Sequence, residues 1–227
     1  SAHTPQLEQP AEFSADLIMP SLARVFDNPP KLFGKKLKHV IEPRATYRYI
    51  GGVGTDLLRI IRFDETELVA DTSEVTIGVT NRFYSKDANG NITELFSWDV
   101  QQRRYFNPTF GGAVIPGMRN VLLSTADLTA YAFLDVPRTY SPVISTMKGQ
   151  IRSVGFEWRA DYDPLRGHIV ATSLSANARV LKDYYTSIGH NQINETPVTS
   201  TGTQLLGLSP RANQLFMVVG YGQENRR

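Results

Sequence analysis

The chain has 227 residues, with 24 basic and 22 acidic side chains and a net charge of +2. A balance this even argues against a nucleic-acid surface. No run approaches the roughly 18 apolar residues of a spanning helix, which excludes helical membrane insertion. Cysteine is absent, which excludes disulfides and thiolate metal sites. A hydrophobic content of 41% suits either a globular domain or a β-barrel, because a barrel spreads its apolar residues over alternating positions.

Residues 1–35 are rich in proline and polar residues, with one apolar patch at Leu17 to Met19. They are expected to form an irregular lead-in with room for one strand. From residue 36 to 227 the dominant signal is alternation with a period of two, the mark of strands. In "LKHVIEPRATYRYI", Ile41, Pro43, Ala45, Tyr47 and Tyr49 oppose Glu42, Arg44, Thr46 and Arg48. In "SEVTIGVTNRFY", Val75, Ile77, Val79 and Phe83 oppose Glu74, Thr76, Thr80 and Arg82. In "ELFSWDVQQRRYF", Phe96, Trp98 and Val100 oppose Ser97, Asp99, Gln101 and Arg103. Around the turn "DPLRG", Val154, Phe156, Trp158, Ala160 and Tyr162 lead in on one parity, against Glu157, Arg159 and Asp161. Val170, Thr172, Leu174 and Ala176 lead out, against Ser173, Ser175, Asn177 and Arg179. Weaker strands are expected near 121–134, 141–149 and 213–222.

These segments amount to about eight strands of roughly ten to fourteen residues, against the usual five or six. Strands that cross a bilayer at a tilt need about nine to eleven. The connections also differ in kind. "SKDANGN" and "DPLRG" are short and carry turn-forming residues, whereas 51–73, 107–120 and 182–212 are long. Short turns on one side and long loops on the other are a habit of membrane barrels. The expected fold class is therefore all-β, an antiparallel transmembrane β-barrel segment forming an incomplete part of a larger barrel. A soluble β-rich binding domain, in which Phe156 and Trp158 would be core, is the rival that shares the alternation. A general outer-membrane porin is another.

In a barrel the charged parity faces the lumen. That assigns Glu42, Arg44, Arg48, Arg82, Asp99, Arg103, Glu157, Arg159, Asp161 and Arg179 to the lumen. Charge pairs are expected between Arg44 and Glu42, Arg103 and Asp99, and Arg159 with Glu157 and Asp161. The opposite parity assigns Ile41, Tyr47, Val75, Ile77, Trp98, Val100, Phe156, Trp158, Val170 and Leu174 to lipid, with aromatics near strand ends forming the interfacial belt. His168 falls on the lipid parity.

Catalytic or ligand-binding alternatives are weaker. His39 and Glu42 have an odd spacing that places them on opposite faces of a strand. Glu157 and Asp161 lie about 13 Å apart along a strand, too far for a glycosidase carboxylate pair. "DANGN" at Asp87 to Asn91 lacks the glycine and glutamate positions of a calcium loop and suits a hairpin turn. "GGVG" at Gly51 to Gly54 lacks the lysine ending of a phosphate loop. The four histidines are scattered, so no enzyme activity, cofactor or metal is expected.

Four stretches together resemble one family. "KHVIEPRATYRYIGGV", "IIRFDETELVADTSEVTIGVTNRFY", "RRYFNPTFGGA" and "EWRADYDPLRG" are similar to the C-terminal barrel region of LptD, the organic solvent tolerance protein, from about Phe33 to Arg227. The resemblance implies an outer-membrane barrel of a Gram-negative-type bacterium that inserts lipopolysaccharide into the outer leaflet without bond chemistry. It further implies a plug lipoprotein (LptE-like) and a periplasmic bridge protein (LptA-like), the latter docking on an N-terminal jellyroll domain. This chain shows no jellyroll pattern and lacks the cysteines that some members use. It opens at Ser1 without a leader and stops soon after an apolar run. A middle-to-late portion of the barrel is therefore expected.

Overall fold

In the computed structural model the described residues are 11–30, 33–52, 71–106, 139–180, 184–194 and 212–222. Within them lie ten strands. They are β1 (Ala11–Ile18), β2 (Leu22–Phe26), β3 (Lys36–Gly51), β4 (Thr72–Lys86), β5 (Ile92–Tyr105), β6 (Val143–Ile151), β7 (Val154–Asp163), β8 (His168–Val180), β9 (Tyr184–Ile193) and β10 (Ala212–Tyr221). All belong to one sheet, ordered β1-β3-β4-β5-β6-β7-β8-β9-β10, with β2 also on β3. Every pairing is antiparallel. From β3 onward the sheet is a simple meander, and it is not closed.

The lead-in contributes more strand than expected. β1 pairs with Arg44–Gly51 and β2 with Leu37–Ile41, so both lie along the same edge of β3. Proline has no N–H to donate, and Pro20 sits in the gap between them. Tyr184–Ile193 falls where a long loop was expected, and it forms β9. Its sequence, YYTSIGHNQI, is mostly polar on both parities, so alternation could not reveal it. The strand expected at 121–134 lies outside the described residues.

β3, β4, β5 and β8 run 16, 15, 14 and 13 residues. Connections at one end of the sheet are 27–35, 87–91, 152–153 and 181–183, all short. At the other end they are 52–71, 106–142, 164–167 and 194–211, of which only 164–167 is short. These are called the short-turn end and the long-loop end below. In the 87–91 turn, Asp87 accepts hydrogen bonds from the Asn89 and Asn91 amides at 2.8 and 2.9 Å and from the Asn91 side chain at 2.9 Å. Gly90 takes φ 92°. The turn is thus a side-chain-stapled hairpin, as "DANGN" suggested.

Two bulges interrupt the alternation. Phe83 pairs with Phe96 but Tyr84 pairs with Glu94, leaving Leu95 extra in β5. Asp161 pairs with Ala171 but Tyr162 pairs with Ile169, leaving Val170 extra in β8. A bulge reverses which face each following residue takes. Glu94 therefore joins the charged face, against its sequence parity. His168, opposite Asp163, does the same, which corrects its assignment to the lipid parity.

Burial is sparse for a chain of this size. Among the described residues the buried apolar side chains are Val40, Ile50, Tyr105, Ile144, Ala160, Val170 and Ala171. Ile77 is 58% exposed and Leu174 48% exposed, both in mid-strand. A soluble sandwich would cover these positions with a second layer. Among the described residues the sheet is a single layer.

Candidate functional site

The register sorts the side chains without ambiguity. Glu42 is opposite Thr80, and Thr80 is opposite Asp99. Asp99 is opposite Thr146, and Thr146 is opposite Arg159. Following these rows, all ten residues expected on the charged parity share one face: Glu42, Arg44, Arg48, Arg82, Asp99, Arg103, Glu157, Arg159, Asp161 and Arg179. Ile41, Tyr47, Val75, Ile77, Trp98, Val100, Phe156, Trp158 and Leu174 share the other. Val170 is the exception. It is the extra residue of the β8 bulge and is fully buried, so it does not belong with the exposed apolar positions.

The ion pairs run mostly across strands. Arg44 bonds Asp99 at 3.3 Å rather than Glu42. Arg103 bonds Glu74 at 3.3 Å rather than Asp99. Arg82 lies between Glu42 at 2.9 Å and Glu94 at 3.2 Å. Glu157 pairs with Lys148 at 3.1 Å, and Arg48 with Glu12 at 2.8 Å. Arg159 bonds Asp161 at 3.0 Å, as expected, but not Glu157. Only Lys148 and Glu157 are direct cross-strand partners. Arg48, Arg82 and Arg103 reach diagonal neighbours on the next strand, and Arg44 reaches over β4 to β5, spans that long arginine side chains can cover. Each ion pair between two strand residues, among the described residues, lies on this face.

Toward the long-loop end the charged face becomes buried. Thr72, Glu74, Ser141, Asp161 and Asp163 are all 1% exposed or less. Thr72 donates to Glu74 at 3.1 Å, and Arg103 donates through Nε to Thr76 at 2.9 Å. Asp163 accepts from the Leu165 amide at 3.0 Å and from Arg166 at 2.8 Å, so it organises the β7–β8 turn. Removing one partner of such a buried pair typically costs about 3–5 kcal/mol, because the other charge is stranded.

Toward the short-turn end the same face opens into a hollow of about 1390 Å³. Glu94 and Ser97 of β5, Lys148 of β6, Glu157 of β7, Asn177 and Arg179 of β8 and Val218 of β10 all line it. Strands five apart in the sheet can share one hollow only if the sheet curls around it. The charged side is therefore the concave side.

The apolar face has its own order. His39 stacks on Phe83 at 4.3 Å, and Phe83 stacks on Phe96 at 4.2 Å. Gly149 then leaves room for Phe156 beside Phe96. This aromatic row crosses the sheet near the short-turn end. A second group lies toward the long-loop end, where Tyr47 meets Phe13 at 6.4 Å and Phe106 at 6.2 Å. Arg104 lies over Phe106 and Tyr140 there. His39 to Tyr47 is eight residues of β3, about 27 Å along the strand, or about 20 Å across a bilayer at the usual tilt. Between the groups the Trp98 indole donates to Ser145 at 2.8 Å, satisfying its one polar atom. His39 bonds Asn81 at 3.0 Å, on the face opposite Glu42. Among the described residues no three His, Asp or Glu side chains are placed to hold a metal ion.

Residues 21–222 match the family described as LPS transport system D. The chain belongs to the LptD family. A comparison with curated proteins gave no match. The LptD family serves lipopolysaccharide transport and assembly at the outer membrane of Gram-negative bacteria, and it is a transport family rather than an enzyme family. The antiparallel, unclosed sheet suits a partial LptD barrel wall. "GGVG", "IIRFDETELVADTSEVTIGVTNRFY" and "RRYFNPTFGGA" lie partly outside the described residues.

Proposed function

We propose that this chain forms part of the barrel wall of the outer-membrane translocon that places lipopolysaccharide in the outer leaflet. The observation that carries the proposal is the segregation of the two faces. Ion pairs occupy the concave side and apolar and aromatic side chains the other, and strands of 13–16 residues are long enough to cross a bilayer at a tilt. A wall of this kind separates the two halves of an amphiphile. Sugars and phosphates follow the polar, concave side, while acyl chains stay with the membrane. Guanidinium groups suit phosphate because they offer a planar, forked set of donors. Arg179 is exposed, lines the hollow and makes no ion pair among the described residues. Arg82 and Arg159 are already engaged by carboxylates.

The concave face also suits a plug lipoprotein of the LptE kind. An LptA-like bridge protein would act through a domain outside this chain. A general porin would share the two-faced wall but would not hold glycolipid. A photocrosslinking amino acid in place of Arg179, Arg44 or Leu174 separates the two in living cells. Lipopolysaccharide adducts are expected from Arg179 or Arg44 if glycolipid passes the concave side, whereas Leu174 reports only contact with the surrounding membrane. Absence of adducts from both arginine positions, with the protein correctly assembled, overturns the export function.

A further inference from the structure

The two faces treat charge differently. Every strand carboxylate among the described residues lies on the concave face, and so does every strand lysine. Two strand arginines break the rule. Arg24 of β2 is opposite His39, and Arg104 of β5 is opposite Val75, which puts both on the apolar face. They stand at opposite ends of it, Arg24 beside the short turns and Arg104 beside the long loops. Each lies against aromatic rings. Arg24 is 5.0 Å from the Phe26 centroid, and Arg104 is 5.5 Å from that of Phe106 and 5.8 Å from that of Tyr140.

The surroundings of Arg104 all belong to one face. Tyr140 is its bridge partner on one side, and Val75 is opposite it on the other. Tyr47, opposite Val75, closes on the Phe106 ring at 6.2 Å. Ile77 is 58% exposed and lies two residues deeper than Val75, about 7 Å toward the middle of the strand. Trp98 and Val100 continue the same apolar surface. Arg104 is exposed, and among the described residues it has no carboxylate partner. A guanidinium held over ring faces keeps its edge N–H donors free for an acceptor. At a strand end above an apolar surface, the headgroup layer of a membrane supplies that acceptor.

We infer that Arg104, with Phe106 and Tyr140, binds a phosphate of the glycolipid in the outer leaflet, whose acyl chains lie over Val75 and Ile77. The long loops of a membrane barrel face outward, so Arg104 meets the leaflet that receives lipopolysaccharide and Arg24 meets the other. The planar fork of the guanidinium matches two phosphate oxygens, and the Tyr140 phenol adds a donor. The inference rests on the membrane reading above. It goes beyond that reading by placing bound glycolipid on the outside of the wall, whereas the proposed export path follows the concave side.

The test uses the full-length protein containing this chain, purified in detergent, with a photocrosslinking amino acid in place of Ile77. That position reads lipid held below Arg104, leaves the two rings unaltered and lies on the face opposite the export path. The protein is irradiated with a limiting amount of lipid A, the phosphorylated anchor of lipopolysaccharide, or of the same lipid stripped of its phosphates. Adducts should be about five-fold more abundant with the phosphorylated lipid. Arg104→Gln should remove that preference, while Arg24→Gln, on the same face at the other end, should leave it intact. Should Arg104→Gln fail to fold, Arg104→Met serves in its place, since it keeps an apolar stem against the rings. Equal adducts from both lipids with Arg104 present, or a preference that survives its replacement, overturns the inference. Loss of the lipid A adduct to an equal amount of phosphatidylglycerol does so as well, since the site would then take any phosphate-bearing lipid. Failure of the membrane reading looks different, because the probe at position 77 would capture neither lipid nor detergent.

Discussion

The most direct test of which face meets lipid uses two neighbouring residues in the middle of β8. Leu174 is the central residue of the strand and is 48% exposed, flanked across the sheet by Trp158 and His190. Ser175, the next residue, lies on the concave side opposite Glu157. Leu174→Arg places a cation at mid-bilayer, which costs about 2–4 kcal/mol in a barrel. The lost leucine contact adds up to about 1 kcal/mol, partly offset by the arginine stem. Ser175→Arg adds a cation near Glu157 and should change stability by less than about 1 kcal/mol. The expected difference is about 3 kcal/mol, roughly a hundred-fold in the unfolding equilibrium. If the apolar face met water instead, Leu174→Arg would fall within about 0.5 kcal/mol of the unaltered protein. Guanidinium unfolding in phosphatidylcholine vesicles, followed by tryptophan fluorescence, measures both variants. A neutral Leu174→Arg, or a Ser175→Arg that destabilises more, refutes the orientation.

Gly149 is needed for space rather than backbone freedom. A Cβ there would lie 2.7 Å from both the Phe156 ring and the Phe96 Cβ, so Gly149→Val should destabilise by about 1–3 kcal/mol in the same unfolding assay. Asp87 is held below the usual carboxylate range, chiefly by the Asn91 side-chain bond and then by the Asn91 and Asn89 amides. Its folded pKa is depressed, so its support for the β4–β5 turn is complete above the unfolded value and lost as pH falls through the lower, folded one. Hydrogen exchange at Asn89 and Asn91 should show the turn loosening below about pH 4, and Asp87→Asn should remove that pH dependence.

Much of the wall was legible because a strand's period of two maps sequence parity directly onto faces. "TYRYI" and "FEWRADYD" needed no tertiary information to sort tyrosine and tryptophan from arginine and aspartate. Strand length and the inequality of the connections pointed to a membrane-spanning sheet for the same local reason. Parity fails where one residue is inserted. The bulges at Leu95 and Val170 moved Glu94 and His168 onto the charged face and buried Val170, and nothing in "TELFSW" or "GHIVAT" announces the extra residue.

Partnership was less legible than parity. Sequence neighbours suggested Arg44 with Glu42 and Arg103 with Asp99, but registry brings Asp99 to Arg44 and Glu74 to Arg103 across the strands. β9 was hidden because its polar residues carry no alternation, and only its hydrogen bonds to β8 and β10 define it as a strand. The hollow and the surroundings of Arg104 likewise depend on which strands lie side by side. The sequence by itself determined the faces, since side-chain direction along a strand is local. Which charges meet, where alternation breaks and which side is concave were decided only by the tertiary structure, since they depend on the register and curvature of strands far apart in the chain.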